Sequence, residues 1–228
     1  MLKKIGKVLL KVALWFFILS IVSTIIFRFV PIPVTPLMIA RVIEQKMDGN
    51  EAKMTKDWVA LEEISPSMPL AVITSEDQNF EEHFGFDLKA IEKAQAYNER
   101  HRGKKLKGAS TISQQTAKNV FLWPSRSWIR KGFEVYFTFI IEILWSKERI
   151  MEVYLNVIEM GPGIYGTEAA AQHYFHKSAK KLNNSEAAAI AAILPNPLKW
   201  SASKPSLYIK KKKSWILRHM QYMDVREF

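Results

Sequence analysis

The chain contains no cysteine. A disulfide framework and thiolate metal sites are excluded, and the absence is compatible with an oxidising compartment. Strand signals are scarce and no internal repeat is visible, so the fold reads as mainly α. Acidic residues are in deficit, 22 against 33 Lys and Arg, for a net charge of +11. That excess points to an anionic partner: nucleic acid, acidic headgroups or a phosphorylated substrate. Apolar residues make up 48% of the 228. This is enough for a sizeable core and too much for global disorder, in one domain of ordinary size plus an appendage.

The appendage is the clearest physical signal. Residues 12–27, VALWFFILSIVSTIIF, carry no charge. Lys11 and Arg28 bracket them and can snorkel toward headgroups. The apolar stretch at 8–30 is long enough to cross a hydrocarbon core of roughly 30 Å. It exceeds the apolar region of a cleaved signal peptide, and RFVPIPVTP follows it with no A-x-A-like cut site. Lys3, Lys4, Lys7 and Lys11 precede it, so the positive-inside rule leaves the N-terminus in the cytoplasm and the rest of the chain outside. Pro31, Pro33 and Pro36 make a stiff exit.

The stretch at 70–87, LAVITSEDQNFEEHFGFD, delivers Glu76 and Asp77 at the end of an apolar helical run. Carboxylates there are costly unless paired or used, and a buried carboxylate is what general-base chemistry at neutral pH wants. A solvated acidic turn, with His83 a satisfied surface histidine, is the plainer alternative. Ser67 is the expected N-cap of this helix. A helix is expected over 88–98, and a mobile basic loop over 99–107.

In GASTISQQTAKN, residues 108–119, Ser110 or Thr111 can cap a helix carrying Gln114, Gln115 and Lys118. Adjacent glutamines cannot share one helix face, so at least one should turn from the core. Amide donors plus a lysine beside a small-residue turn suit a sugar and a phosphate. Trp123 and Trp128 suit either a bilayer interface or a core-lining loop. From Ser127 the apolar spacing predicts a central buried helix, in which Arg130 and Glu134 are four apart and Lys131 lies on a different side from Glu134. Further helices are expected at 147–160 behind Ser146, at 167–175 and 185–194, and as a final basic amphipathic helix at 208–223.

Five blocks carry a resemblance. They are EDQNFEEHFGFD (76–87), KGASTISQQTAKN (107–119), RKGFE (130–134), KERIMEVYLNVIEMGPGIYGTEAAAQHYF (147–175) and SEAAAIAAILPNP (185–197). In this order and spacing the chain resembles the family 51 glycosyltransferases, the peptidoglycan glycosyltransferase module in its monofunctional biosynthetic form. The length leaves no room for the penicillin-binding transpeptidase domain of the bifunctional relatives. The resemblance implies a lysozyme-like, two-lobed, mainly α fold. Residues 1–30 would be the cytoplasmic N-terminus and transmembrane anchor, and residues 31–228 the glycosyltransferase domain on the outer face of the bacterial inner membrane. It implies polymerisation of lipid II, with the lipid-linked growing strand as donor and the incoming lipid II as acceptor.

On that resemblance Glu76 is the general base. Glu134 is the second glutamate, orienting groups or binding the donor or a metal. Lys118, Arg126 and Lys131 face the leaving pyrophosphate, with Arg130 in the same substrate-binding set. Gln114 and Gln115 hold sugar or phosphate oxygens, and Ser110 shapes that wall. Asp77 and His83 buttress the first helix. A divalent cation, Mg or Mn, is expected from the family, although no His/Cys/Asp ligand set in the sequence requires one; no organic cofactor is implied. Cell-wall synthesis or division proteins are candidate partners. Three rivals are disfavoured: a lytic glycan hydrolase, because a neutral polysaccharide needs no cationic clamp; a non-enzymatic scaffold, because the blocks are intact; and a nucleic-acid binder, because of the anchor.

Overall fold

A computed structural model of the chain describes residues 2–101, 106–125 and 127–223. Arg126 and the centre of the expected basic loop, 102–105, lie outside the described residues.

The first helix, α1 (Leu2–Phe29), is a single apolar rod. Only 11% of its apolar window is buried, which separates it from the core helix of a soluble protein. It faces outward with side chains that water does not solvate well, as a membrane span does. The proline segment ends it. Thr35 then caps α2 (Pro36–Met47) by accepting from the Met38 N–H, with Pro36 in the first turn where its missing donor costs nothing.

The remaining helices are α3 (Ser67–Glu76), α4 (Leu88–Arg100), α5 (Ile112–Phe121), α6 (Trp128–Leu144), α7 (Lys147–Val157), α8 (Thr167–Phe175), α9 (Asn184–Ile193) and α10 (Leu207–Met220). They fall into two groups. In one, α3, α9 and α10 pack on each other; in the other, α5 packs on α2, α6 and α7. Ala187, Ala188, Ala189, Ala191 and Ala192 are buried on α9, and small side chains let the helices of the first group approach closely. Ile190 and Ile193, fully buried on the same helix, each contribute about 1.5–3 kcal/mol by leaving water. The arrangement is the two-lobed, mainly helical one expected.

Three expectations are corrected. Ser67 is not the N-cap of α3 but its first residue. Its hydroxyl donates to Asn184 on α9, and Ser65 supplies the oxygen that the Ser67 N–H reaches. The helix begins after Pro66, and a proline ring offers no side-chain cap. Second, α7 stops at Val157. Residues beyond it form β2 (Glu159–Gly161), which turns through Gly163 into β3 (Ile164–Tyr165); β3 pairs antiparallel with β2 and parallel with β1 (Thr55–Lys56). Third, α6 is not buried all round. Phe137, Ile140 and Ile141 face the core, while Val135, Phe139 and Ile143 are about half exposed.

That exposed stripe runs beside α1. Phe16 of α1 packs edge-on against Phe133 and Phe137. Ser20 Oγ lies 2.6 Å from the Tyr136 hydroxyl, and the Trp145 indole donates to the Thr24 carbonyl at 2.8 Å. Arg149 donates to the carbonyls of Phe27 and Val30 at the end of α1, where cations offset the unpaired carbonyls of a helix terminus. At 1.5 Å per residue, Phe16 lies roughly 20 Å below Phe29, so α6 stands alongside the second half of the span.

In the turn after α3, against α6, sits Gly85, at φ +77. An added Cβ would lie 2.8 Å from Thr138 Cγ2 and 3.0 Å from Glu142 Cγ. Its carbonyl accepts from the Thr111 hydroxyl at 2.7 Å, fixing the start of α5. Gly85→Ala is expected to cost about 1–3 kcal/mol from strain and overpacking together, read as a lower thermal midpoint; an unchanged midpoint would mean that this turn yields freely.

Candidate active site

The site is built where the end of α3 meets the start of α5. Glu76 is the last residue of α3 and Asp77 its C-cap. The Asp77 carboxylate turns inward, accepts from the Ile112 N–H at 2.9 Å, and lies 2.9 and 3.0 Å from His83 Nε2. A carboxylate at the first turn of α5 meets the positive end of that helix. Thr111 caps α5 through a reciprocal box with Gln114: the Thr111 oxygen accepts from the Gln114 N–H, and the Gln114 amide oxygen accepts from the Thr111 N–H. The hydroxyl of choice is therefore Thr111, and Gln114 spends one amide atom on structure. The two glutamines diverge as their adjacency requires.

Gln115 is the one that reaches across. Its Nε2 donates to Glu76 Oε2 at 3.2 Å. Its own oxygen receives the Tyr154 hydroxyl at 3.4 Å. Burial first, then the charges of Glu76 and Asp77, raise the Tyr154 phenol well above its usual range. It stays protonated and acts as donor, which orients the amide so that its NH2 faces Glu76. Ser75 Oγ donates to Glu76 Oε1 at 3.2 Å, and Lys212 Nζ of α10 lies 3.9 Å from the same oxygen. The Glu76 side chain keeps 15% of its surface exposed, enough for a reacting hydroxyl to touch it.

The cationic wall lies on the other side of Gln115. Ser110, Gln114, Gln115, Lys118, Arg130, Lys131 and Glu134 line one cavity of about 140 Å³. Glu134 is buried and accepts from Arg130 Nη1 at 2.9 Å and from Lys131 Nζ at 2.5 Å. Lys131 thus shares a side with Glu134, contrary to the expectation. Residues three apart are separated by only about 60° around a helix. Burial lowers the pKa of Lys118; Glu134 and Glu76 oppose the fall, while Arg130 and Lys131 add to it. An anion arriving in this cavity relieves the crowding of three cations around one carboxylate, and amine and guanidinium donors match phosphate oxygens.

A larger cavity of about 430 Å³ opens on the near side of Glu76, lined by Asp77, Asn79, Lys93, Lys107, Ser110 and Trp215 among others. Ser110 belongs to both cavities. Glu76 therefore faces a roomy space on one side and, through Gln115, a compact cationic one on the other. The sequence reading missed Tyr154, Trp215 and Lys212. Tyr154 lies inside a matched block, but its role depends on a contact from α7 to α5. Trp215 and Lys212 lie in the final basic helix, outside every block.

The residues do not present a ready cation site. Among the described residues no cluster of three or more His, Asp or Glu side chains is suited to a metal ion. Both oxygens of Glu134 already face cations.

Trp123, Trp128 and Ile129 are exposed, whereas Val120 and Leu122 are buried. Val120 and Leu122 thus anchor the start of the segment, and Trp123 packs edge-on against Phe133 of α6.

A family model described as Transglycosylase matches residues 42–221. The chain is 53% identical to the biosynthetic peptidoglycan transglycosylase of Bacteroides thetaiotaomicron over 96% of its own length and 88% of the relative's. It is 54% identical to that of Bdellovibrio bacteriovorus over 94% and 85%. It is 48% identical to that of Pseudomonas aeruginosa over 96% and 94%.

Removing Glu134 would leave Arg130, mostly buried, and Lys131 facing Lys118 with no counter-charge. Glu134→Ala is expected to lower stability by about 2 kcal/mol, below the 3–5 of a fully buried pair because Lys131 is partly solvated. Glu134→Gln, which keeps an acceptor, should lose less. Urea unfolding of both variants measures this, and equal midpoints with the parent would remove Glu134 as the organiser of the wall.

Proposed function

The chain belongs to the transglycosylase family and is a peptidoglycan glycosyltransferase; from that premise we propose that it polymerises lipid II by inverting transfer, with Glu76 as general base. The observation that carries this reading is the segregation of charge across Gln115: an accessible carboxylate on one side and a cationic cavity on the other.

In this reading the larger cavity takes the incoming lipid II and the cationic one the pyrophosphate of the growing strand. The acceptor's 4-hydroxyl oxygen attacks the donor's anomeric carbon as Glu76 removes its proton. The bond from that carbon to the pyrophosphate oxygen breaks, and its electron pair leaves with the lipid pyrophosphate. One displacement turns the α-linked donor into a β-linked product. A glycosidase needs an acid for its poor leaving group; a pyrophosphate needs only charge stabilisation, which Lys118, Arg130 and Lys131 supply. Arg126, outside the described residues, belongs to the same proposed set. Gln115 holds Glu76 in register with that wall. A family divalent cation would add charge at the pyrophosphate, and no step here depends on it.

The substrate is confined to a bilayer, and the same is proposed for the enzyme. The N-terminal lysines support a cytoplasmic start for α1, with the catalytic lobes then on the outer face of the inner membrane. The exposed stripe of α6, continuous with α1, sits in the outer leaflet and keeps the cationic cavity at headgroup depth. Residues 1–30 serve as anchor and 31–228 as the catalytic domain. Cell-wall synthesis or division proteins are proposed partners.

Two expectations follow. Glu76→Gln should lower polymerisation of labelled lipid II by the full-length protein about 100-fold or more, with folding and lipid II binding retained; normal turnover would remove Glu76 as base. The absence of native cysteine permits a single probe. Phe139→Cys carrying a polarity-sensitive dye should shift to the blue in liposomes and be quenched by spin-labelled lipid. The same dye at Lys180→Cys, an exposed site paired with Glu63, should not. Water-like emission at 139 would take α6 out of the lipid.

A further inference from the structure

Helix α10 buries Ile209, Ile216 and Met220 against the rest of its group. Residue 212 falls on that same face, three after 209 and four before 216. Packing alone would be served there by another apolar side chain, since a cation withdrawn from water is costly unless paired. The Lys212 side chain is only 20% exposed, and the carboxylate its Nζ reaches is Glu76, at 3.9 Å. One turn on, Trp215 lines the larger cavity beside Glu76.

We propose that Lys212 is a positioning residue for Glu76: its ammonium, held at the edge of the core by α10, couples to the charge of the Glu76 carboxylate and keeps it aimed into the cavity. The assignment rests on the reading of Glu76 as base. Burial lowers the Lys212 pKa and the charge of Glu76 opposes that fall, as expected of a coupled pair.

Lys93 of α4, its N-cap Asp87, and Lys107 line the same larger cavity; Asp87 accepts from Asn79 and the Ala90 N–H, and Lys107 lies over the Tyr97 ring. Lys118 of α5 is shared with Glu134. Asp77 is bound to His83 and to the Ile112 N–H. Tyr154 of α7 is a neutral donor to Gln115, and Ser75 and Gln115 carry no charge. Among the described residues, Lys212 is thus the cation that forms an ion pair with Glu76. Within the first group it also has a second effect, tying the C-terminal helix to the end of α3 at the reacting carboxylate.

Two measurements test this. The first is the pH dependence of kcat/KM for lipid II polymerisation by the full-length protein. In K212M the acid limb should move up by about one pH unit, the lower end of what an opposite charge within 4–6 Å produces, and K212R should restore it. An unmoved acid limb in a folded K212M, whatever its rate, overturns the assignment, because a packing role would lower the rate without moving the limb.

The second measurement needs no substrate. Acylation of Lys212 by acetic anhydride, followed by mass spectrometry, compares the parent with E76Q. Loss of the carboxylate charge should favour the free amine and speed labelling about tenfold, which is one pKa unit. Equal labelling overturns the pair. This comparison also decides the question if K212M fails to fold. A parent that labels as expected but makes no glycan from lipid II would remove the functional reading and leave the pair standing.

Discussion

The carboxylate of Asp77 joins the two halves of the cleft. It ends α3, receives the first N–H of α5, and is held from behind by His83. The two helices belong to different packing groups over one shared hydrophobic cluster. At the site itself a buried hydrogen bond to a carboxylate fixes their ends, and such bonds are shorter and stronger than neutral ones. Glu76 and Gln115 are placed by this joint, one residue before Asp77 and three after Ile112. The hydrogen bond between them is a consequence of the joint rather than its cause.

From there the site is a matter of charge kept apart. Gln115, oriented by a tyrosine that burial keeps protonated, separates Glu76 from the Arg130–Glu134–Lys131 cluster. A base needs access to a neutral hydroxyl, and a leaving pyrophosphate needs cations. Mixing the two would fill the base's oxygens with clamp donors, which Lys212 at 3.9 Å does not do. The same separation explains why Glu134 is spent on its neighbours: it fixes two long cationic side chains in one place, so less is lost in ordering them when an anion arrives. The membrane geometry adds the remaining constraint. Helix α6 carries Glu134 on its inner face and Val135, Phe139 and Ile143 on its outer one, so one helix ties the anion-binding wall to an apolar surface beside the anchor.

Much of this was legible in the sequence. The apolar run and its flanking lysines marked α1, and the 3.6-residue spacing marked α6 and α7. Thr111 and Ser146 stood where caps belong. Of the proposed substrate-binding residues, Ser110, Gln114, Gln115, Lys118, Arg130 and Lys131 line one cavity. What was not legible depended on distance along the chain or on geometry finer than periodicity. Ser67 looked like a cap by type, but Pro66 and Ser65 decide how α3 starts. The outward face of α6 looked like core, since a lipid-facing stripe and a core stripe have the same composition. The short sheet pairs Thr55 with Ile164, and nothing local announces such a pairing. Lys212 sat in a run of lysines that reads as a solvated face, and only the packing of α10 on α3 turns it inward.

The central claim is that a carboxylate activates the acceptor while cations hold the departing pyrophosphate, in one displacement. The most direct test is the anomeric configuration of the first bond that the full-length protein forms from labelled lipid II, read by the one-bond carbon–proton coupling at the new linkage. A β linkage, with the donor α, is the predicted result. Retention of the α configuration would require two displacements or a same-face attack, and would contradict the account.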